Sequence, residues 1–383
     1  MKKVLVVGAG TFGLSAALAL RASGCTVTVL DPGPVPHPLA ASTDQSKAVR
    51  ADYGRDDLYT DWMLEALPRW RAWNAHWGRP LFHETGVAFL SRSAPAAGAF
   101  EHESALRLAA RGVPLTVLDA AGIHQRFPQW GKNCFQSGYF NPIGGWAWSG
   151  EVVAALAHDA VAAGIEVVGD TPVWAVHADG AGVDTPAGPR RADAVVVAAG
   201  AWSPKLVPEL APLLRSTAHT IFLLRPADPT PWQAARHPVF GADIGTTGWY
   251  GFPLHPNGLL KIAHHGDGWL LDPDAARTLD PAYLKRFKDF RAEYLPTLAE
   301  LPVEEARVCL YCDSFDGDFL IDRSPERPAL IVATGGSGHG FKFAPVLGDV
   351  VAAVLHDTPH PARARLAWRT PTHRSKEDAR AHS

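Results

Sequence analysis

VLVVGAGTFGLSAALALRASGCTVTVLD, residues 4–31, is the stretch that decides the fold. Residues 4–7 are a short apolar run, which suits a strand buried on both faces. The run ends in Gly8-Ala9-Gly10-Thr11-Phe12-Gly13, with glycines spaced G-x-G-x-x-G. Residues 14–23 follow, rich in the helix formers Ala and Leu. Residues 26–30 are β-branched and apolar, a second strand, and Asp31 closes it. Strand, glycine turn, helix, strand and acid in this order make a dinucleotide-binding unit. Gly8 allows the tight turn, Gly10 lets a pyrophosphate approach, and Gly13 lets the helix pack on the strand. Asp31 is placed to accept hydrogen bonds from a ribose hydroxyl. The motif does not separate FAD from NAD. Lys2 and Lys3 before an apolar run also resemble a signal peptide, but the glycine spacing argues for the dinucleotide reading.

A second glycine turn lies near the other end, in CLYCDSFDGDFLID (309–322), RSPERPAL (323–330) and IVATGGSGHGFK (331–342). Residues 323–328 read as a turn and 329–333 as a buried strand. Gly335, Gly336, Gly338 and Gly340 let a backbone pass close to a flat or anionic ligand. Residues 341–355 read as a helix. A strand, a glycine turn and a helix start make an electropositive mouth, to which His339 and Lys342 add donors. Equally, the stretch is a tight turn with two solvated cations.

The 383 residues hold a large core, expected to divide into two domains. A hydrophobic fraction of 47% and a charged fraction of 20% describe an ordinary globular protein. The net charge of −3 argues for neither nucleic acid nor an anionic membrane as a partner. Cys25, Cys134, Cys309 and Cys312 are too few for a disulfide scaffold, so reduced thiols and a cytoplasmic location are expected. The 13 tryptophans concentrate in 62–77, 130–148 and 202–269, as the walls of a planar-ligand site or a large aromatic core would require. No segment is apolar enough to span a membrane.

Between the glycine turns, 32–40 is a proline-rich loop. Lys47 and Arg50 follow in a mixed apolar stretch; three apart, they share a helix face or lie on opposite faces of a strand. A helix is expected over 57–77, a strand over 81–92, and a helix followed by aromatic loops over 101–148. A helix over 150–164 and paired strands over 165–174 come next. Residues 192–199 read as a buried strand returning to the dinucleotide domain. Residues 215–270 are strand-rich and 281–295 helical. The polar tail beyond Trp368 is expected to fray. The predicted architecture is α/β: a Rossmann-like dinucleotide-binding domain (1–80, 150–212 and 310–365) interleaved with a mixed-sheet α+β substrate domain (81–149 and 213–309), then a tail (366–383).

The combination resembles the sarcosine oxidase, N-methyltryptophan oxidase and fructosyl-amino-acid oxidase family, within the D-amino-acid-oxidase-like flavoproteins. The resemblance rests on Cys309-Leu310-Tyr311 with Asp322 ending the strand, the S-G-H-G-F-K run at 337–342, Tyr250-Gly251-Phe252-Pro253 followed by Lys261 and His265, and VVVAAGAWS at 195–203. It implies FAD, attached covalently through Cys309, where the family's cysteine before x-Tyr carries the flavin. It implies a cofactor site of Gly8, Gly10, Thr11, Phe12, Gly13, Asp31, Ser42, Lys47, Val173, Gly200 and Trp202, completed by Gly336, Gly338, His339, Gly340 and Lys342. Val173 presents its backbone to the adenine. Arg50 and Lys342 grip a substrate carboxylate; Lys261 matches the oxygen-activating lysine; Tyr250, His265 and His339 line the site. Lys47 is a departure: sarcosine oxidases carry Arg there, and Thr43-Asp44-Gln45-Ser46-Lys47 resembles the N-D-x-N-K run of fructosyl-amino-acid oxidases. Cys309 and Cys312 also spell C-x-x-C, but a zinc site wants a second pair and a redox motif sits at a helix start. Cys312 is expected to be a small buried or lining residue, and no metal is expected.

The expected activity is therefore oxidation of a secondary α-amino acid, N-methylated or cyclic such as sarcosine, pipecolate or proline. The products are an imine and, from oxygen, hydrogen peroxide. Fructosyl-amino-acid oxidation is the enzymatic alternative. A flavin dehydrogenase passing electrons to a partner, and a non-catalytic dinucleotide-binding or C-x-x-C redox protein, are the others. The expected partners are the small amino-acid-like substrate and oxygen, and the expected state is a monomer.

Overall fold

A computed structural model describes residues 1–371 and 379–381. The strands Lys3–Val7 and Thr26–Leu30 pair in parallel, and Ala194–Val197 pairs in parallel on the other side of the first. All four residues of Ala194–Val197 are buried, which is why this stretch is apolar without alternation. The sheet is completed by Glu166–Val168 at one edge and Leu330–Thr334 then Leu320–Arg323 at the other; only the last strand is antiparallel. The helix Thr11–Ala22 lies on this sheet and packs against Ala344–His356 so closely that a Cβ on Gly348 would stand 2.2 Å from Ser15 O.

A second, larger sheet is mixed. Its strands run in the order Trp269–Leu270, Leu214–Leu224, Leu260–His264, Trp249–Gly251, Val239–Ala242, Val87–Ser91, Ser137–Asn141, Thr116–Asp119. The long strand Val303–Ser314 pairs along Leu214–Leu224. Val239–Ala242 and Val87–Ser91 are parallel; the other neighbours are antiparallel. One face is covered by the helix Pro281–Tyr294, where Phe287 stacks on Phe222 with ring centroids 4.1 Å apart. A small sheet, Lys47–Val49, Gly145–Ala147 and Phe82–His83, brings the Lys47 segment to the chain that leads into the large sheet. The molecule is thus a mixed α/β structure with several sheets. Among the described residues no helix is long and apolar enough to cross a membrane.

The helix over 57–77 is found as Asp57–Trp77, capped by the Asp56 carboxylate on Tyr59 N and closed by Gly78 in the left-handed region. Three expectations need correction. The aromatic loops placed in 130–148 contain the strands Ser137–Asn141 and Gly145–Ala147, too short for their alternation to be read. The paired strands over 165–174 reduce to Glu166–Val168; beyond it the Thr171 amide turns back to Asp31 O. Of the tail expected to fray, residues 372–378 and 382–383 lie outside the described residues, whereas Ala379, Arg380 and Ala381 are buried, with Arg380 meeting a buried carboxylate.

Gly8 sits at φ +106°, and a Cβ on Gly13 would fall 1.8 Å from Gly8 O. Substituting Gly13→Ala is therefore expected to cost about 1–3 kcal/mol through a backbone shift. A thermal melt unchanged from wild type would contradict this packing.

Candidate active site

The first glycine turn presents the open end of Thr11–Ala22. Gly10 provides no side-chain cap and the first turn carries no acid, so the terminal amides and the helix dipole face outward. Asp31 accepts from Ala9 N at 2.7 Å and Gly33 N at 3.2 Å. It therefore braces the turn. Ser42 Oγ lies 3.4 Å from Thr11 N. Gly200 follows Ala194–Val197, and Trp202 directs its indole N–H to Asp274, 2.6 Å away. Val173 is half-buried on the chain that turns back to Asp31. Along this groove the buried hydroxyls of Thr11, Thr43, Ser46 and Ser203 have no hydrogen-bond partner among the described residues. Such orphans fit a site built to hold a polar cofactor.

The second glycine turn meets the first through Phe12: a Cβ on Gly340 would lie 2.6 Å from its ring, and Gly336 packs on the same ring. Several amides of this turn are engaged internally. Ser337 N donates to Cys312 O, and His339 N and Gly340 N donate to Gly336 O. Gly338 lies at φ +75°, where a Cβ would come 2.3 Å from the Tyr311 ring; glycine is needed on both counts.

Between this turn and the large sheet lies a cavity. Its lining includes the polar residues Lys47, Arg50, Lys342, Tyr250, Tyr311, His265 and His339 and the apolar residues Val87, Phe89, Val239, Phe240 and Ile244. Six of the seven residues expected to be catalytic thus share one cavity. The seventh, Lys261, lies behind it.

Each cation is held differently. Arg50 donates to Asp52 O, with its guanidinium 5.2–5.6 Å from the ring centres of Tyr53, Phe89 and Phe100. The Asp52 carboxylate accepts from Tyr139 Oη at 2.7 Å and from Asn141 Nδ2. Lys342 Nζ donates to Tyr53 Oη at 3.0 Å and His339 O at 2.9 Å. Tyr53 Oη is 3.0 Å from His339 Nδ1, and His339 Nε2 is 3.0 Å from Gly317 O. A carbonyl only accepts, so His339 donates from Nε2 to Gly317. Its Nε2–H therefore points away from the turn it was expected to make positive.

Lys261 is fully buried on Leu260–His264, its Nζ 2.5 Å from both Asp44 Oδ2 and Ser46 O. Lys47 Nζ reaches the same Asp44 oxygen at 3.0 Å. Burial alone would raise the Asp44 carboxyl, but Lys261 and Lys47 outweigh it and hold it well below the carboxylate range. Burial pulls Lys261 down to about 8, with Lys47 adding to the shift and Asp44 opposing it. Lys47 is desolvated too, yet Asp44 keeps it above its usual range. At neutral pH all three are charged.

Cys309 is buried on Val303–Ser314, next to Tyr250 and the Lys47, Lys261 and Arg277 charges. Cys312, three residues on, faces the opposite side, with Sγ 3.4 Å from Thr334 Oγ1; burial pushes its thiol up to about 11. All four cysteines are free thiols. Tyr250 and Tyr311 both line the cavity, and burial raises both phenols. Asp44, Tyr53 and Tyr311 carry no role in the sequence reading. Only Tyr311 had a usable signal: two residues beyond Cys309 on a strand, it shares that face.

The chain matches the model of the FAD-dependent oxidoreductase family over residues 3–354, and it belongs to that family. It is similar to the N-methyl-L-tryptophan oxidases of Yersinia pestis (strain Pestoides F) and Yersinia pseudotuberculosis (serotype O:1b), 30% identical in each case over 94% of this chain and 96% of theirs. Among solved structures it is similar to the fructosamine oxidase Amadoriase II of Aspergillus fumigatus, with TM-score 0.84 and 25% identity over 100% of this chain and 94% of that one. Fructosyl peptide oxidase from E. terrenum gives TM-score 0.83 and 26% identity over 100% and 95%. The protein is an FAD-dependent oxidoreductase.

Replacing Asp44→Asn leaves two buried lysines without a countercharge. The expected cost at neutral pH is about 3–5 kcal/mol. Unpaired buried lysines titrate below the unfolded value, so the variant should regain stability as pH rises towards about 10. Denaturant melts across pH check this; a variant as stable as wild type at neutral pH would refute the pairing.

Proposed function

We propose that the protein oxidises secondary α-amino acids, N-methylated or cyclic, to imines, with oxygen reduced to hydrogen peroxide. The observation that carries this reading is the cavity's lining, which combines the cations Arg50 and Lys342 with the apolar side chains Val87, Phe89, Val239, Phe240 and Ile244. FAD, when bound, accepts the two electrons of the C–N oxidation and delivers them to oxygen. The residues named for its cradle are Gly8, Gly10, Thr11, Asp31, Ser42, Val173 and Gly200 with the turn Gly336–Gly340, and Cys309 as its covalent anchor.

Arg50 and Lys342 take the substrate carboxylate. The aromatic rings and the Asp52 carbonyl hold the guanidinium in place, so little freedom is lost on binding. The substituent on nitrogen or Cα then lies against Val87, Val239, Phe240 and Ile244. Ile244 is held by Glu101, whose buried carboxyl accepts its amide at 3.1 Å. Lys261, charged at neutral pH and desolvated, favours negative charge arising beside it, as oxygen reduction requires. The substrate amine reacts in its neutral form, and no protein base is assigned.

A second reading, oxidation of fructosyl amino acids, is supported by the Asp44–Lys47 pair and by the fructosamine and fructosyl peptide oxidases named above. The apolar wall opposes it. Each sugar hydroxyl buried there without a partner would cost about 1–3 kcal/mol.

Arg50→Ala is expected to raise KM for the amino acid by about a hundredfold, the loss of a bidentate charge-assisted pair, while leaving KM for its methyl ester within about threefold. Equal effects on acid and ester would remove Arg50 from carboxylate binding. For the anchor, acid precipitation should leave the yellow colour in the pellet, and Cys309→Ala should release it to the supernatant. Colour in the wild-type supernatant would exclude the covalent bond.

A further inference from the structure

The strand face that carries Cys309 and Tyr311 continues to Asp313, since side chains two apart share a face. Asp313 is buried, and its two carboxylate oxygens accept from the two terminal nitrogens of Arg380, each at 2.9 Å. Arg380 is buried as well, and donates to Ser337 O at 3.0 Å. Beside it the Ala381 amide donates to His265 O at 3.1 Å, in a parallel bridge to Gly266. The Ala381 methyl lies where a Cβ on Gly248 would come within 3.0 Å. Residues 380–381 therefore touch three separate pieces of chain that carry pocket residues: the second glycine turn, His265, and the loop between Ile244 and Tyr250.

Asp313 also ends a polar chain. Its Oδ2 accepts from Thr217 Oγ1 at 2.6 Å, and Thr217 Oγ1 is 3.0 Å from His219 Nε2. The threonine proton goes to the carboxylate, so His219 donates from Nε2 and its tautomer is fixed. The His219 ring stacks on Tyr311 with centroids 3.8 Å apart and planes at 20°. Tyr311 in turn packs on Gly338 and lines the cavity beside His265, whose ring centroid is 6.0 Å from its own. Arg380, Asp313, Thr217 and His219 do not themselves line the cavity.

We infer that Arg380 is a positioning residue for the substrate pocket: through Asp313, Thr217 and His219 it sets the Tyr311 ring and hydroxyl in the cavity. The inference rests on the reading of this cavity as the substrate site. The planar guanidinium fork matches both oxygens of Asp313, a geometry an ammonium does not reproduce.

The test is a double-mutant cycle of Arg380→Ala and Tyr311→Phe in the FAD-loaded enzyme. It reads kcat/KM for an N-methyl amino acid and the shift of the flavin absorbance by pyrrole-2-carboxylate, a planar proline analogue with no Cα–H to lose. Arg380→Ala should lower kcat/KM and weaken pyrrole-2-carboxylate by about tenfold in the wild-type background, but by less than about twofold beside Tyr311→Phe. Arg380→Lys keeps the charge without the fork and should show the same pattern at smaller size, which serves if the alanine variant does not fold. Additive losses would overturn the inference, as would a lower melting temperature with unchanged kcat/KM and binding. If the wild-type enzyme binds pyrrole-2-carboxylate but turns over no secondary amino acid, the proposed reaction fails and the cycle is read on binding. If it does neither, both fail.

Discussion

Charge buried without water must find charge or dipole inside the protein, and this constraint organises the site. Lys261 and Lys47 converge on one carboxylate oxygen of Asp44. Arg50 and Lys342 instead use a main-chain carbonyl, phenol and aromatic faces, which stabilise a cation without cancelling it. The pocket therefore holds two kinds of cation. One kind shares the single carboxylate of Asp44, which offsets one of its two positive charges. The other is held by carbonyl, phenol and ring contacts.

The same constraint ties the sheets together. Asp44 lies in the loop after the proline-rich segment, while Lys261 is on a strand of the large sheet; their pairing sets the large sheet against the dinucleotide-binding side. On the opposite flank Arg380 and Asp313 make a second buried pair between the end of the strand Val303–Ser314 and the glycine turn at Ser337. Both pairs lie one residue layer behind the cavity. Cavity-lining groups such as Tyr311 are thereby braced by contacts that do not themselves line the cavity.

The fold was legible where local sequence and tertiary setting agree. Residues 4–31 spell their strands, turn and acid because each residue answers a nearby backbone demand. Asp57–Trp77 was legible from its helical pattern alone; the Asp56 cap and the left-handed Gly78 that bound it are seen in the structure. The strands Ser137–Asn141 and Gly145–Ala147 were not, because three to five residues carry too little alternation to outweigh aromatic, glycine-rich surroundings. In the site, Lys47, Arg50, Lys261 and Lys342 were found as motif residues. Asp44 was quoted but given no role, since nothing local says that a loop aspartate will meet a lysine 217 residues away. Arg380 was hidden for the same reason: in sequence it is one more charge in a polar tail, and only the fold brings Asp313 to it.

In the proposed reaction, the cavity lined by Arg50, Lys342 and apolar side chains orients a secondary amino acid for oxidation by the bound flavin. The most direct measurement is anaerobic titration of the purified holoenzyme, following loss of the flavin's visible absorbance. The account predicts rapid bleaching by N-methyl or cyclic α-amino acids such as N-methyltryptophan or pipecolate, and little by fructosyl-glycine. Bleaching by fructosyl-glycine with none by the secondary amino acids would contradict it.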